Sequence, residues 1–309
     1  MSAKVNVVEE IVNRSIMNPF EYYKLPHSEE LYLHSRHLYV SSSGEFSRYI
    51  KKKVSSQRPI TNKECYSNTK SLLSKEDYQS IKSQLVVSGG YSISHNLNLT
   101  DQCDELIKGL ESSQDSYSIG SRKYLMNWKI LKEYSIVRNI LKDRNIKSIA
   151  DNYLGCNSIV NIVTAWKTSY VSPEKINKSG DAMLFHFDCD HPNFLKLFIY
   201  LDDVSEKNGP HVYIPNTSGD YRSDLPTKLQ RDGRISNLEI LNAGLCPEVL
   251  TGKKGTMIFA NTHNLHRGTP VSKNNARYIL QIQYVSSPFG AKPFHSPAEI
   301  ADINNFSNS

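Results

Sequence analysis

The strongest chemical signal in this 309-residue chain is the segment Phe185-His186-Phe187-Asp188, in which an imidazole and a carboxylate stand two residues apart. On an extended strand, residues two apart face the same way, so His186 and Asp188 converge. Imidazole nitrogen with carboxylate oxygen suits a divalent first-row metal, and two ligands leave room for a third, for water or for substrate. Two candidates for a third ligand lie downstream in Thr262-His263-Asn264-Leu265-His266, after the apolar strand Thr256 to Ala260. Arg277 then opens a run in which Arg277, Ile279, Gln281 and Gln283 share one face, while Tyr278, Leu280, Ile282 and Tyr284 share the other. A guanidinium lining a polar pocket is a natural receptor for a carboxylate, because its planar fork donates two parallel hydrogen bonds.

These side chains need elements to hold them. Helical periodicity predicts a helix from Lys75 to Leu85 after a Ser74 cap, ended by Gly89-Gly90. It predicts another from Thr100 to about Ser112, and a long one from Ser135 to Leu154 with Gly155 as its left-handed exit. Beyond Gly155 the pattern becomes β-rich, with segments Ser158 to Tyr170, Ala182 to Asp188, Phe194 to Val204, His211 to Pro215, Gly255 to Asn261 and Arg277 to Val285. Helices followed by many short strands indicate an α+β chain with a mainly β core. The economical architecture is a double-sheet jelly roll, a cupin-like double-stranded β-helix braced by N-terminal helices.

Composition excludes several classes. Hydrophobic residues at 39% and charged residues at 22% fit a folded, water-soluble chain. No stretch approaches the roughly 20 apolar residues of a membrane helix, and the start lacks the apolar region of a secretory signal, so a cytoplasmic protein with no membrane span is expected. The net charge of +6 is diffuse, and its one compact cluster, Arg48 with Lys51, Lys52 and Lys53, is too short for a nucleic-acid footprint, so no nucleic acid is expected. Five cysteines, Cys65, Cys103, Cys156, Cys189 and Cys246, form no CxxC pair and read as reduced thiols. Oligomeric state is not legible.

From Ile149 to Val285 the chain resembles the Fe(II)/2-oxoglutarate-dependent oxygenases, in particular their phytanoyl-CoA dioxygenase-like branch. The resemblance rests on an ordered set: Ile149-Ala150-Asp151-Asn152-Tyr153-Leu154-Gly155, the His186/Asp188 pair, Phe194 through Val204, Asn208-Gly209-Pro210 with Ile214-Pro215, then His266 and Arg277 eleven positions later. It implies that His186, Asp188 and His266 hold Fe(II), with His263 the rival for the distal position. It implies that Arg277 pairs with the distal carboxylate of 2-oxoglutarate. Phe198 would pack on that cosubstrate and Lys196 would be a second carboxylate contact. Relatives often carry a hydroxyl two residues after the distal histidine; here that position is Gly268, and Thr269 is the nearest substitute. Trp166, Thr168, His191 and Gln281 are candidates for the pocket lining, whereas His27, His34, His37, His95, His211 and His295 read as surface or packing residues.

The implied activity is a 2-oxoglutarate-dependent dioxygenase that uses O2, releases succinate and CO2, and hydroxylates a C–H bond of a small or medium-sized organic substrate. Desaturation, cyclisation or epimerisation would use the same ligands. A non-catalytic jelly-roll binding protein and a zinc hydrolase are the readings from other classes, and the retained Asp188 disfavours halogenation. In outline, residues 1–75 form an irregular or helical extension, 76–290 the oxygenase jelly-roll domain and 291–309 a tail, frayed from Asn304. The first 130 residues and Asn216 to Val249, including a loop from Gly219 to Asn237, would supply the lid and substrate walls.

Overall fold

The computed structural model describes residues 2–42, 44–60, 66–67, 71–87, 91–95, 99–172, 174, 183–218, 225–226, 229 and 233–308. Cys65, Gly89-Gly90 and most of the loop from Gly219 to Asn237 lie outside them.

Helices dominate the N-terminal half: Ser2–Ile16, Pro19–Tyr22, Glu29–Ser41, Glu45–Gln57, Lys75–Val87 and Thr100–Ser112, then Trp128–Leu131, Ser135–Leu141 and Arg144–Leu154. The Lys75–Val87 helix starts as expected, with Ser74 Oγ accepting from Asp77 N at 3.0 Å. The next helix spans Thr100–Ser112 as expected, with Leu99 at its N-cap and no side-chain capping bond. The single helix expected from Ser135 to Leu154 is two. Asp143 interrupts it, because its carboxylate accepts the backbone N–H groups of Asn145 and Ile146 and so starts a second helix, which ends at Gly155 with φ 74°.

The strands are β1 (Tyr91–His95), β2 (Tyr117–Ile119), β3 (Arg122–Leu125), β4 (Ile159–Ser169), β5 (Phe194–Tyr200), β6 (His211–Tyr213), β7 (Glu248–Leu250), β8 (Thr256–Ala260), β9 (His266–Gly268) and β10 (Ala276–Val285). They form an antiparallel seven-stranded sheet in the order β1-β8-β5-β10-β4-β3-β2 and a three-stranded sheet in the order β7-β6-β9. The expected strand Ala182 to Asp188 is reduced, among the described residues, to two bridges, Phe185 to Ile235 and His186 to His266. The second lays this segment along the edge of β9.

Strand alternation sorts the large sheet into two faces. Leu195, Leu197 and Ile199 of β5, Met257 and Phe259 of β8, and Leu280, Ile282 and Tyr284 of β10 join one cluster with helix residues such as Ile50, Tyr78, Leu106, Ile136 and Ile149. The opposite face carries Trp166, Phe198, Tyr200, Ile258 and Ile279, packed against Tyr213 and Leu250 of the small sheet. Phe198 and Trp166, two of the functional candidates, lie between the sheets.

The chain end is not frayed. Residues Pro297–Asn308 form a helix with Ile300, Ile303 and Asn304 buried. The reason lies in β4, whose pairing with β3 covers only Ala165 to Thr168. Farther back along β4, Asn304 Oδ1 accepts from Val160 N at 2.9 Å and its Nδ2 donates to Val160 O at 2.8 Å, and His295 Nε2 lies 3.1 Å from Val163 N. Side chains of the terminal segment thus satisfy the strand edge that β3 leaves open.

Candidate metal centre

The site is assembled by backbone pairing. His186 and His266 exchange two backbone hydrogen bonds of 3.0 Å, so their imidazoles spring from directly opposed positions. Asp188 N donates to Thr262 O at 2.9 Å and fixes the carboxylate at the same end. Ligand atoms of His186, Asp188 and His266 then lie within 4.8 Å of one another. His186 Nε2 is 3.5 Å from Asp188 Oδ1, and His266 Nε2 is 3.4 Å from Asp188 Oδ2.

The far side of each ring is committed. His186 Nδ1 donates to Leu184 O at 2.9 Å, and His266 Nδ1 donates to Asn264 O at 2.9 Å. A carbonyl only accepts, so each Nδ1 carries the proton and each Nε2 turns a lone pair toward the shared point. Burial, reinforced by the neighbouring His266, holds His186 well below the ordinary imidazole range. Burial alone would raise Asp188, but the Lys196 ammonium and the two imidazoles hold it well below the usual carboxylate range.

Lys196 is the first departure from expectation. Its ammonium donates to Asp188 Oδ2 at 2.6 Å and to Asp190 Oδ2 at 3.3 Å, with the Phe194 ring centroid 5.2 Å away. The residue faces the space between the sheets, as alternation requires, but lies opposite Gln283, three same-face positions along β10 from Arg277. Its partner is the Asp188 carboxylate. Burial opposes its charge, yet the two carboxylates raise its pKa above the ordinary lysine value.

Arg277 is 3% exposed, and burial lowers it to about 10. Register puts it beside Thr168, and Thr168 beside Arg122, in a row across three strands. The next row holds Ile279, Trp166 and Tyr124, with the Arg122 guanidinium carbon 5.7 Å from the Trp166 ring centroid. Arg277 Nε, Thr168 Oγ1 and Trp166 Nε1 are buried with no hydrogen-bond partner among the described residues. Such orphans cost roughly 1–3 kcal/mol each and mark a place prepared for a polar ligand. Gln281 lies on the same face, directly across from Phe198.

Gly268 explains the missing hydroxyl. A Cβ built there would lie 2.7 Å from Arg277 Nη2, so the guanidinium occupies the room a side chain would need. Thr269 does not replace it. Its Oγ1 donates to Pro210 O at 3.0 Å, because alternation past β9 turns it out of the pocket.

Two histidines near the motif are structural. His263 Nε2 donates to His191 O at 3.1 Å and packs on Phe194 and Tyr39, which turns it from the cluster. His191, a candidate for the pocket lining, is 5% exposed and both its ring nitrogens are engaged, by Asn161 at 2.8 Å and Phe289 O at 3.1 Å. Burial lowers it to about 4.

Conversely, His211 is not a packing residue remote from the site. It is 8% exposed, and its ring stacks on His266 at 5.5 Å between centroids and 21° between planes. Burial, then His266 and Arg277, hold it well below the imidazole range. His211 and Arg122 are the site residues that sequence patterns missed; the only local hint was the position of His211 directly after Asn208-Gly209-Pro210.

No family model matches the chain, and no curated protein matches it. Among solved structures the chain is similar to the epimerase SnoN in complex with Fe3+, alpha ketoglutarate and nogalamycin RO, at 14% identity, over 69% of this chain and 84% of that one, with a TM-score of 0.49. AviO1 from Streptomyces viridochromogenes Tue57 is similar at 13% identity, over 73% and 100% of the two chains, with a TM-score of 0.47. HygX from Streptomyces hygroscopicus with nickel and 2-oxoglutarate bound is similar at 13% identity, over 69% and 88%, with a TM-score of 0.47. Among the described residues, no helix is long and apolar enough to cross a membrane.

Proposed function

We propose that this chain is an Fe(II)- and 2-oxoglutarate-dependent dioxygenase that hydroxylates a small or medium-sized organic molecule. The observation that carries this reading is the pairing of a three-residue ligand cluster with a buried guanidinium whose Nε has no partner among the described residues, in one inter-sheet space. His186 and His266 present Nε2 lone pairs and Asp188 a carboxylate oxygen, the donor set that suits non-haem Fe(II). Bound iron would supply the oxygen chemistry, which side chains alone cannot perform.

The protein's own work is binding and placement. Arg277 pairs with the distal carboxylate of 2-oxoglutarate, and Thr168, beside it in register, supplies the hydroxyl that Gly268 cannot. Phe198 and Trp166, whose rings meet edge-on with centroids 6.2 Å apart, wall the cosubstrate and exclude water. Lys196 holds Asp188 at one oxygen, which fixes the carboxylate's orientation toward the metal. The two sheets are the opposed walls of a jelly roll, and the branch resemblance to phytanoyl-CoA dioxygenase-like enzymes rests on the ordered motifs from Ile149 to Arg277.

The test is turnover. With Fe(II), ascorbate and O2, the protein is expected to convert 2-oxoglutarate to succinate at a slow uncoupled rate, with no conversion by His186→Ala. Arg277→Met should raise the KM for 2-oxoglutarate at least about tenfold while still binding metal. Succinate release that survives His186→Ala would overturn the proposal.

A further inference from the structure

A cavity of about 340 Å³ lies where the two chain ends meet the start of β4. Its walls come from segments remote in sequence: Phe20 and Tyr23 at the Pro19–Tyr22 helix, Arg58 just past the Glu45–Gln57 helix, Ile159 of β4 and Ile300 of the C-terminal helix. The volume is at the lower end of the roughly 300–1,000 Å³ of small-molecule sites. This is not the cosubstrate end of the sheet. Ile159 pairs with Val285 and Val285 with Phe194, whereas Arg277 pairs with Thr168, about 27 Å away along β10. Of the buried row Ile159, Val285 and Phe194, only Ile159 lines the cavity.

Two donors at this cavity have no use inside the protein. Arg58 Nη2 donates to Ser286 O, and the Arg58 carbonyl accepts from Asn157 N at 3.2 Å, which ties the helix end to the sheet. A neutral donor would serve as well. Arg58 Nε is left buried with no partner, and the titratable groups that act on its charge are Cys156 and Tyr23, with no carboxylate among them. Buried cations are normally paired, because removing an isolated charge from water is costly. Asp151, which accepts from Ser158 Oγ of the cavity wall at 2.6 Å, is already held by Lys147 at 2.6 Å. Tyr23 is 8% exposed, meets Tyr22 edge-on and packs in one cluster with Ile159 and Ile300. A phenyl ring would do that packing, yet the ring carries a hydroxyl that is buried without a partner.

We propose that this cavity binds a small organic acid with an apolar body, its carboxylate accepting from the Arg58 guanidinium and the Tyr23 hydroxyl and its hydrocarbon lying against Phe20, Ile159 and Ile300. A guanidinium only donates and a phenol can donate beside it, so the ligand must accept, and a carboxylate matches the guanidinium fork. The apolar walls select against a bare inorganic anion. Phe20, 48% exposed at the cavity, is the side chain that such a body would cover. Occupation would also tie both chain ends to β4 and so stabilise the fold.

The experiment titrates phenylacetate into the whole chain by calorimetry, with phenylacetamide, acetate and inorganic phosphate as comparisons. Phenylacetate is expected to bind at one site, at least about tenfold more tightly than any of the other three. Arg58→Gln keeps a donor for Ser286 O and removes the charge, and should weaken phenylacetate at least about tenfold. Tyr23→Phe keeps the ring and removes the hydroxyl, and should weaken it about threefold or more; it carries the test if Arg58→Gln does not fold. Arg277→Met should leave phenylacetate binding unchanged, which separates this cavity from the cosubstrate end. Folded parent protein that binds no phenylacetate at millimolar concentration would overturn the proposal. Equal affinity for the acid and its amide would overturn it in favour of a merely apolar cavity, and equal affinity for phosphate in favour of a bare anion site. Binding lost in Arg277→Met but kept in Tyr23→Phe and Arg58→Gln would overturn it by moving the acid to the cosubstrate end.

Discussion

The two faces of the large sheet are built from alternate residues of the same strands, yet they follow opposite rules. On β5, Leu195, Leu197 and Ile199 enter the helix-packed core, while Lys196, Phe198 and Tyr200 face the small sheet. On β10, Leu280 and Ile282 go one way, Arg277 and Gln281 the other. Both faces are buried. The helix side satisfies burial mostly with hydrocarbon, whereas the inter-sheet side buries an ammonium, a guanidinium and three imidazoles, with Arg277 Nε left unpaired among the described residues. Charged side chains are buried on one face only, in strands otherwise able to pack, which is the pattern expected where stability is given up for binding.

The largest effect that would sharpen this contrast is at Lys196. Lys196→Met leaves the Asp188 and Asp190 carboxylates without their cation, and a loss of about 3 kcal/mol is expected in metal-free protein. Adding Co(II) should restore much of it, because the metal then faces Asp188. Thermal unfolding with and without Co(II) checks this, and an equal loss in both states would contradict it.

On the helix side, Leu280→Ala should cost a similar or slightly smaller amount, about 3 kcal/mol by cavity formation, with 2-oxoglutarate affinity unchanged. Its inter-sheet counterpart, Thr168→Val, should do the reverse. Removing an orphaned hydroxyl is expected to change stability by less than about 1 kcal/mol while weakening 2-oxoglutarate binding. Denaturant unfolding and ligand titration of both variants separate the two faces, and a Thr168→Val as destabilised as Leu280→Ala would break the comparison.

The smallest effect on function, though not on stability, concerns His191. Burial lowers it to about 4 from the ordinary 6.5, so the unfolded chain takes up its proton first as the solution is acidified. Its contribution is complete above about pH 6.5 and is lost progressively toward pH 4, amounting to roughly 3 kcal/mol. His191→Asn should flatten that part of the stability profile, measured by urea unfolding at several pH values.

Much of the site was legible because its signals are local. His186 and Asp188 are two residues apart, and the alternation of β10 already separated Arg277 and Gln281 from Leu280 and Ile282. What was not legible arrives from elsewhere in the chain. Alternation puts Lys196 on the same face as Phe198, but which acid it meets depends on where the HxD segment lies against β5. His211 lies on a strand of three residues, too short for any period, and its neighbours come from β9 and β5. Thr269 failed as a substitute hydroxyl because the turn after β9 gives it Pro210. In the fold, the helix pair divided at Asp143 and the ordered C-terminal helix escaped notice because a capping carboxylate and an asparagine that mimics a strand edge look like ordinary polar residues.

The central claim is that the three ligands and the buried guanidinium serve one bound pair, metal and 2-oxo acid. The most direct measurement is an anaerobic titration of the metal-free protein with Fe(II) and then 2-oxoglutarate, following the weak visible charge-transfer band of the chelate. The account predicts that the band appears with the parent protein and is absent in His186→Ala. Folded parent protein that binds Fe(II) yet shows no band at saturating 2-oxoglutarate would contradict it.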